Sequence, residues 1–401
     1  MEESNTIGAR LRQARRERGI TQENLAERSA VSIGVIRMLE QETRTTARVV
    51  TLTSLANALG ISLSDLLGRR ERLGRDDGIL RLRDALLAVD DLPGIDPVGD
   101  PDEVTPVTEL AAAVERGWKQ YWSGRLDDLT AMLPGLIGEA RVTAREDCVE
   151  ASASLTQAYQ LAADLLAHVG SDDLAFAAAK RAMGAARAGN NELQYAAAAG
   201  TASWVLLRQA RAAAAEHVAR TAAAEIEPRL SDARAEHLTV WGSLLLQAAA
   251  CAAARDDAGA VEDYITLTRM AARVTRDGEP LFGADRYDYQ TNFGRTQVEM
   301  QACYTSALLG RESAALRAAT RVRRSDLRPI SWGAHNLDVA RASLHTRRGD
   351  DAVAALSRAH AVSDVWFRHQ VLARDLVREA MENERRVSPA LRTLADAVGV
   401  R

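Results

Sequence analysis

Two groups of residues in this 401-residue chain have types and spacings that could do chemistry, and both suggest binding rather than catalysis. The first is Ser32, Ile33, Gly34, Arg37 and Met38. Ser32 is a good helix N-cap, and a helix that buries Val35, Ile36 and Leu39 turns Ile33, Gly34, Arg37, Met38 and Gln41 outward. Such a face offers one guanidinium donor beside two apolar side chains, Ile33 and Met38, that can meet only apolar groups or shape. The second group lies in 277–301, DGEPLFGADRYDYQTNFGRTQVEMQ, a stretch rich in aromatics and glycine. Tyr289 and Phe293 supply aromatic surface; Arg295, Gln297 and Gln301 supply donors and acceptors. The two glutamines share a helix face if a helix starts near Thr296. Trp204, Trp241 and Tyr264 sit on helices that could line the same groove. This set suits a small polar ligand or a peptide backbone, although each tryptophan alone suits a core better.

Catalytic patterns are missing. The chain has no GxxxxGK[ST], GxGxxG, HExxH, CxxC or GxSxG, and its seven histidines show no metal-ligand spacing. Paired acids recur at Asp127-Asp128, Asp172-Asp173, Asp256-Asp257 and Asp350-Asp351. Their common register at helix starts marks them as caps that oppose the positive helix end, not as a carboxylate pair for catalysis. The expectation is a protein that is not an enzyme, with no cofactor and no metal.

The elements that must hold the first group are short amphipathic helices within residues 6–67. Ile7, Leu11 and Ala14 give the first helix a stripe, and Gly19 ends it. Thr21 caps a second helix with Leu25 and Ala26 inside. Ser32 caps the third. Val50, Leu52, Leu55, Ala56 and Leu59 mark a fourth, stopped by Gly60, and Ser62 or Ser64 caps a fifth. Two helices joined by a turn of about four residues and buttressed by three others make a helix-turn-helix.

The wording of this stretch resembles the Cro/repressor-type (XRE) regulators. The marks are Arg15 with Gly19, Thr21-Gln22, Leu25-Ala26, Val31-Ser32, Ile36, Leu39-Glu40, Leu55-Ala56, Leu59-Gly60-Ile61 and Leu66-Leu67. The turn departs from the family in having Ala30 where glycine is usual. The loop after the third helix departs too, lacking the usual Gly and Pro. The resemblance implies that Gln22 contacts phosphate and that Ser32, Ile33, Gly34, Arg37 and Met38 face the major groove. It implies that Arg44 and Arg48 meet the DNA backbone, and that Arg15 and Glu40 form a structural ion pair.

Charge agrees with a nucleic-acid-binding head. Residues 1–75 hold 13 Arg against 9 acids, or +4; the whole chain is −4, which leaves −8 for the rest. Aromatics are only 4% of the chain, and alanine is abundant, which favours closely packed helices over sheets. No apolar run approaches a membrane span, the N-terminus is no signal peptide, and the three cysteines are odd in number and far apart. The expected location is the cytoplasm.

Residues 90–106 cluster prolines and glycines and mark the clearest boundary. Beyond it a polar turn phrase recurs at Gly124, Gly170, Arg208, Arg255, Gly310 and Gly349, at spacings of one helical hairpin. This body resembles degenerate tetratricopeptide (TPR) repeats, and the whole layout resembles actinobacterial XRE regulators with a TPR-like C-terminal region. The expected fold is all-α: a five-helix helix-turn-helix domain at 1–72, a linker with one helix at 73–106, and a TPR-like α-solenoid at 107–401. The expected function is transcriptional regulation by a homodimer on a palindromic double-stranded DNA operator, with a small-molecule or peptide effector and no membrane. The alternative is a helical scaffold whose array recruits a protein partner without a small ligand.

Overall fold

The computed structural model describes residues 6–43, 47, 49–61, 66, 76–88, 104–146, 148–229, 234–274, 289–383 and 387–400. Among the described residues the protein is helical with no strand, an all-α chain. Compactness divides it into two units: residues 1–120 with 126–162, and residues 121–125 with 163–401. This division falls inside the expected solenoid rather than at residue 106.

In the first unit, α1 (Ile7–Glu17), α2 (Gln22–Ser29), α3 (Ile33–Glu40) and α4 (Val49–Leu59) form the head. Helix α1 packs on α3, and α2 packs on α3 and α4. The hydroxyls of Thr6, Thr21 and Ser32 cap the first three helices, accepting from the amides of Ala9, Asn24 and Val35. Leu11, Leu25, Ile36, Leu39, Leu55 and Leu59 fill the core. The inner stripe of α1 starts at Gly8 rather than Ile7, which is only half-buried. Of the expected fifth helix only Leu66 lies within the described residues; it is helical and buried. Helices α5 (Asp76–Leu86), α6 (Val107–Trp122), α7 (Leu126–Glu146) and α8 (Cys148–His168) follow, α6 and α8 only partly in this unit.

The second unit is built of hairpins in chain order. After α9 (Asp172–Ala188) come α10 (Glu192–Arg208) with α11 (Ala212–Glu225) and α12 (Ala235–Ala254) with α13 (Ala258–Val274). Then come α14 (Arg295–Leu308) with α15 (Glu312–Ala319) and α16 (Pro329–His345) with α17 (Gly349–His360). The first helices of successive hairpins pack on one another, α10 on α12, α12 on α14 and α14 on α16, which is the stacking of an α-solenoid. Short helices α18 (Asp364–Arg368), α19 (Val371–Asn383) and α20 (Pro389–Val398) close the end.

The turns between these helices share a device that the turn phrase only partly revealed. Six turns each hold one left-handed residue: Gly170, Asn190, Ala210, Asp256, Gly310 and Arg347, with φ between 50° and 79°. In the last turn this position is Arg347, and Gly349 already belongs to α17. The paired acids at 127–128, 172–173 and 350–351 lie in first turns, while Asp256-Asp257 precede their helix. Asp257 accepts from the Ala260 amide at 3.0 Å, whereas Ser171, Arg211, Arg311 and Arg348 at N-cap positions make no such bond. Helix α12, against expectation, is long and apolar enough to span a membrane by length and composition, and 78% of that apolar window is buried inside the protein.

Candidate nucleic-acid interface

The head is organised around one carboxylate. Glu40, the last residue of α3, has a side chain only 1% exposed. Arg15 on α1 donates to it twice, Nε to Oε1 at 2.7 Å and Nη2 to Oε2 at 2.9 Å. The third donor of Arg15, Nη1, reaches the Ile20 carbonyl at 2.8 Å, so the guanidinium also ties down the turn into α2. Arg12 adds its charge at 3.8 Å from Oε2 and donates to the Glu40 carbonyl. Burial pushes the Glu40 carboxyl up, but the bonds from Arg15 and Gln22 and the charges of Arg15 and Arg12 outweigh it, and the group lies below its ordinary range.

Gln22, expected on a DNA phosphate, donates from Nε2 to Glu40 Oε2 at 2.8 Å, so its amide rests on the ion pair in this structure.

The outward face of α3 is as the helical period dictates. Ser32, Gly34, Arg37 and Met38 are exposed and Ile33 is half-buried, while Ile36 and Leu39 are in the core. Arg37 Nη2 sits 3.1 Å from Glu23 Oε1, an exposed contact that a base edge or phosphate can displace. Arg44 and Arg48 lie outside the described residues.

Two features of the head were not anticipated. Gly8 packs so closely on α3 that a Cβ there would stand 2.0 Å from the Leu39 carbonyl oxygen. A glycine within an otherwise amphipathic helix was the available signal. Arg10 Nε donates to the Leu66 carbonyl at 2.8 Å, fastening α1 to the end of the head.

The second group of expected site residues is not gathered into one site. Phe293 is 0% exposed and packs on Gly242, where a Cβ would come within 2.3 Å of its ring. It is core, and half-buried Tyr289 packs on the same cluster. Gln297 is buried, Gln301 half-buried and Arg295 exposed. Trp204 lies apart, its ring 5.7 Å from that of His168 and under the Arg208 guanidinium at 5.5 Å. Trp241 belongs to the Phe293 cluster yet also lines a surface groove. Residues 277–288, most of the expected insertion, lie outside the described residues.

Other polar groups of the array are charged only at a cost. The carboxyls of half-buried Asp164 and buried Asp338 make no hydrogen bond or ion pair among the described residues. Burial pushes them up to about 8 and about 7, the latter against the charge of Arg341. Burial likewise pushes His168 down to about 3 and His335 to about 4, helped by Arg208 and His369 in the first case and Arg358 in the second. Among the described residues no group of three or more His, Cys, Asp or Glu could hold a metal ion.

No curated protein matches the chain. Residues 8–70 match a family described as a helix-turn-helix domain, the span that contains the Glu40 network and the exposed face of α3. The chain therefore carries an N-terminal helix-turn-helix domain, which supports a DNA-binding regulator with DNA as its partner.

Proposed function

We propose that the protein is a sequence-specific transcriptional regulator of the XRE type, acting in the cytoplasm without enzymatic activity. Its TPR-like array senses a small molecule or peptide and joins two copies on a palindromic operator. The observation that carries the DNA role is the exposed face of α3, with Arg37 central to it, on a helix held rigidly from behind by Arg15 and Glu40. One head reaches only a few base pairs, too few for specificity in a genome; two heads about one helical turn apart suffice. Sensing is supported by a groove of about 440 Å³ between α11, α12 and α13, with Trp241 in its lining.

Fluorescence anisotropy with labelled duplex tests the DNA role. Affinity falls by orders of magnitude between roughly 50 and 200 mM salt as counterions are released. Arg37→Ala costs about 1–3 kcal/mol on the best site and relaxes one base position. Light scattering gives a dimer on DNA; a monomer both free and bound contradicts the two-headed arrangement.

A further inference from the structure

Three helices contribute matched stripes to the groove of about 440 Å³. His217, Arg220, Thr221 and Ala224 fall at i, i+3, i+4 and i+7 on α11; Trp241 and Leu245 at i and i+4 on α12; Tyr264 and Leu267 at i and i+3 on α13. Ala223 and Ala224, being small, leave the space open. Leu245 and Leu267 make much of the wall apolar, and Leu267 is 37% exposed, large for a leucine packed within an array.

Two donors at this groove lack acceptors. Trp241 is only 4% exposed, yet its indole N–H, which reaches solvent, has no acceptor among the described residues. The indole of Trp122, by contrast, donates to Gln290 Oε1 at 3.0 Å, and that of Trp366 is shut inside the core. A buried polar group is ordinarily satisfied, so an accessible orphan at a groove floor points to an acceptor supplied from outside. The second donor is Arg220. Its guanidinium makes no ion pair among the described residues, although Glu227 lines the same groove and Glu216 is nearby. Glu216 is already taken by Arg255 and by the Tyr264 hydroxyl at 3.1 Å. That hydroxyl is thereby spent as a donor, so the ring of Tyr264 meets the groove as aromatic wall.

We propose that this groove binds an organic acid with an apolar ring. The ring lies between Leu245, Tyr264 and Leu267, the carboxylate meets Arg220, and an acceptor oxygen takes the Trp241 N–H. The identification of class rests on the sensor role proposed above, since it names the effector of that same array. Glu227 is the one carboxylate in the groove lining and is exposed at its edge, so a ring-bearing amine is the competing occupant, and it should bind less tightly than naphthoate.

The test uses the full-length protein with 1-naphthoate and its uncharged counterpart 1-naphthamide in titration calorimetry. Wild type binds naphthoate saturably, one per chain. Arg220→Gln weakens naphthoate by about tenfold or more, the weight of a charge-assisted bond, and leaves naphthamide within about twofold. Trp241→Phe, which keeps the packing, weakens both. Leu267→Trp fills the groove and abolishes both, with thermal melting confirming that this variant is folded. Absence of saturable naphthoate binding, or an Arg220→Gln variant that binds it as well as wild type, overturns the site. DNA affinity separates this site from the sensor role. If naphthoate binds as described but leaves operator affinity unchanged at saturation, the groove stands and the array is not a sensor through it. If another effector shifts operator affinity equally in wild type and Leu267→Trp, the sensor role stands and this groove is not its site.

Discussion

Replacing Glu40 by alanine should unfold the head while leaving the array folded. The carboxylate is 1% exposed, accepts two bonds from Arg15 and one from Gln22, and lies 3.8 Å from Arg12 Nε. Its removal strands the Arg15 guanidinium, itself only 13% exposed, against an apolar interior. Breaking a buried pair by deleting one partner costs about 3–5 kcal/mol. The matched domain spans 63 residues, 8 through 70. At roughly 0.05–0.15 kcal/mol per residue its whole stability is about 3–9 kcal/mol. The loss therefore consumes from about a third to all of what holds the head. Glu40→Gln keeps the volume and some bonds and should cost less, about 1.5–3 kcal/mol, the worth of bonds to a charged group. Hydrogen exchange followed by mass spectrometry reads both variants segment by segment. Amides of α1 to α3 should lose protection in Glu40→Ala, and α10 to α17 should be unchanged. The carboxylate also makes the head acid-labile. Its pKa is depressed in the folded state, so its contribution is present above the unfolded value of about 4.3 and is lost as pH falls below it. Unchanged protection of α1 to α3 in Glu40→Ala would refute the central role of this carboxylate.

Other outcomes follow from single positions. Ala30 holds φ 54° in the turn between α2 and α3, a conformation that costs an L-residue about 1–2 kcal/mol, so Ala30→Gly should stabilise the head by about 0.5–1 kcal/mol in urea melts after the added freedom of the unfolded chain is subtracted. Glu23→Gln frees Arg37 from its 3.1 Å contact and removes a negative charge beside the DNA-facing helix, so duplex affinity in anisotropy should rise several-fold. The array should lose stability as pH rises from about 6.5 to about 8. Asp164 and Asp338, raised to about 8 and about 7, favour the folded state while protonated and lose that contribution as pH climbs through those values. Below 6.5 the depressed His168 and His335 oppose this trend, because the unfolded histidines take up protons first. Asp164→Asn with Asp338→Asn should therefore flatten the melting temperature between pH 6.5 and 8; an unchanged slope would contradict the burial of these carboxyls.

Much of the head could be read from sequence because its signals are local. Caps at Thr21 and Ser32 and the apolar spacing of α1 to α4 depend on neighbours a few residues apart. The contact of Arg15 with Glu40 was legible only through the family resemblance, being 25 residues apart in the chain. The bond from Gln22 to Glu40, 18 residues away, was not legible at all, because the resemblance pointed only to its phosphate contact. In the array the repeat period was visible where Gly170 and Gly310 fill the left-handed turn position. It was missed at Asn190, and at Arg347 the left-handed residue precedes the Gly349 that marked the turn. Phe293 looked like a ligand contact because its partner is Gly242, a distant residue whose missing side chain makes the room. Residue type alone cannot separate an aromatic that fills such a gap from one that lines a groove, as Trp241 does.

The central claim is that the exposed face of α3 reads duplex sequence. The most direct measurement is selection of fragments from sheared genomic DNA by the purified full-length protein, followed by sequencing, with Arg37→Ala carried in parallel. Wild type should enrich a few fragments sharing a two-fold symmetric motif, and Arg37→Ala should lose preference at one base position in each half-site. Enrichment no greater than that of random duplex, or an identical motif for both proteins, would contradict it.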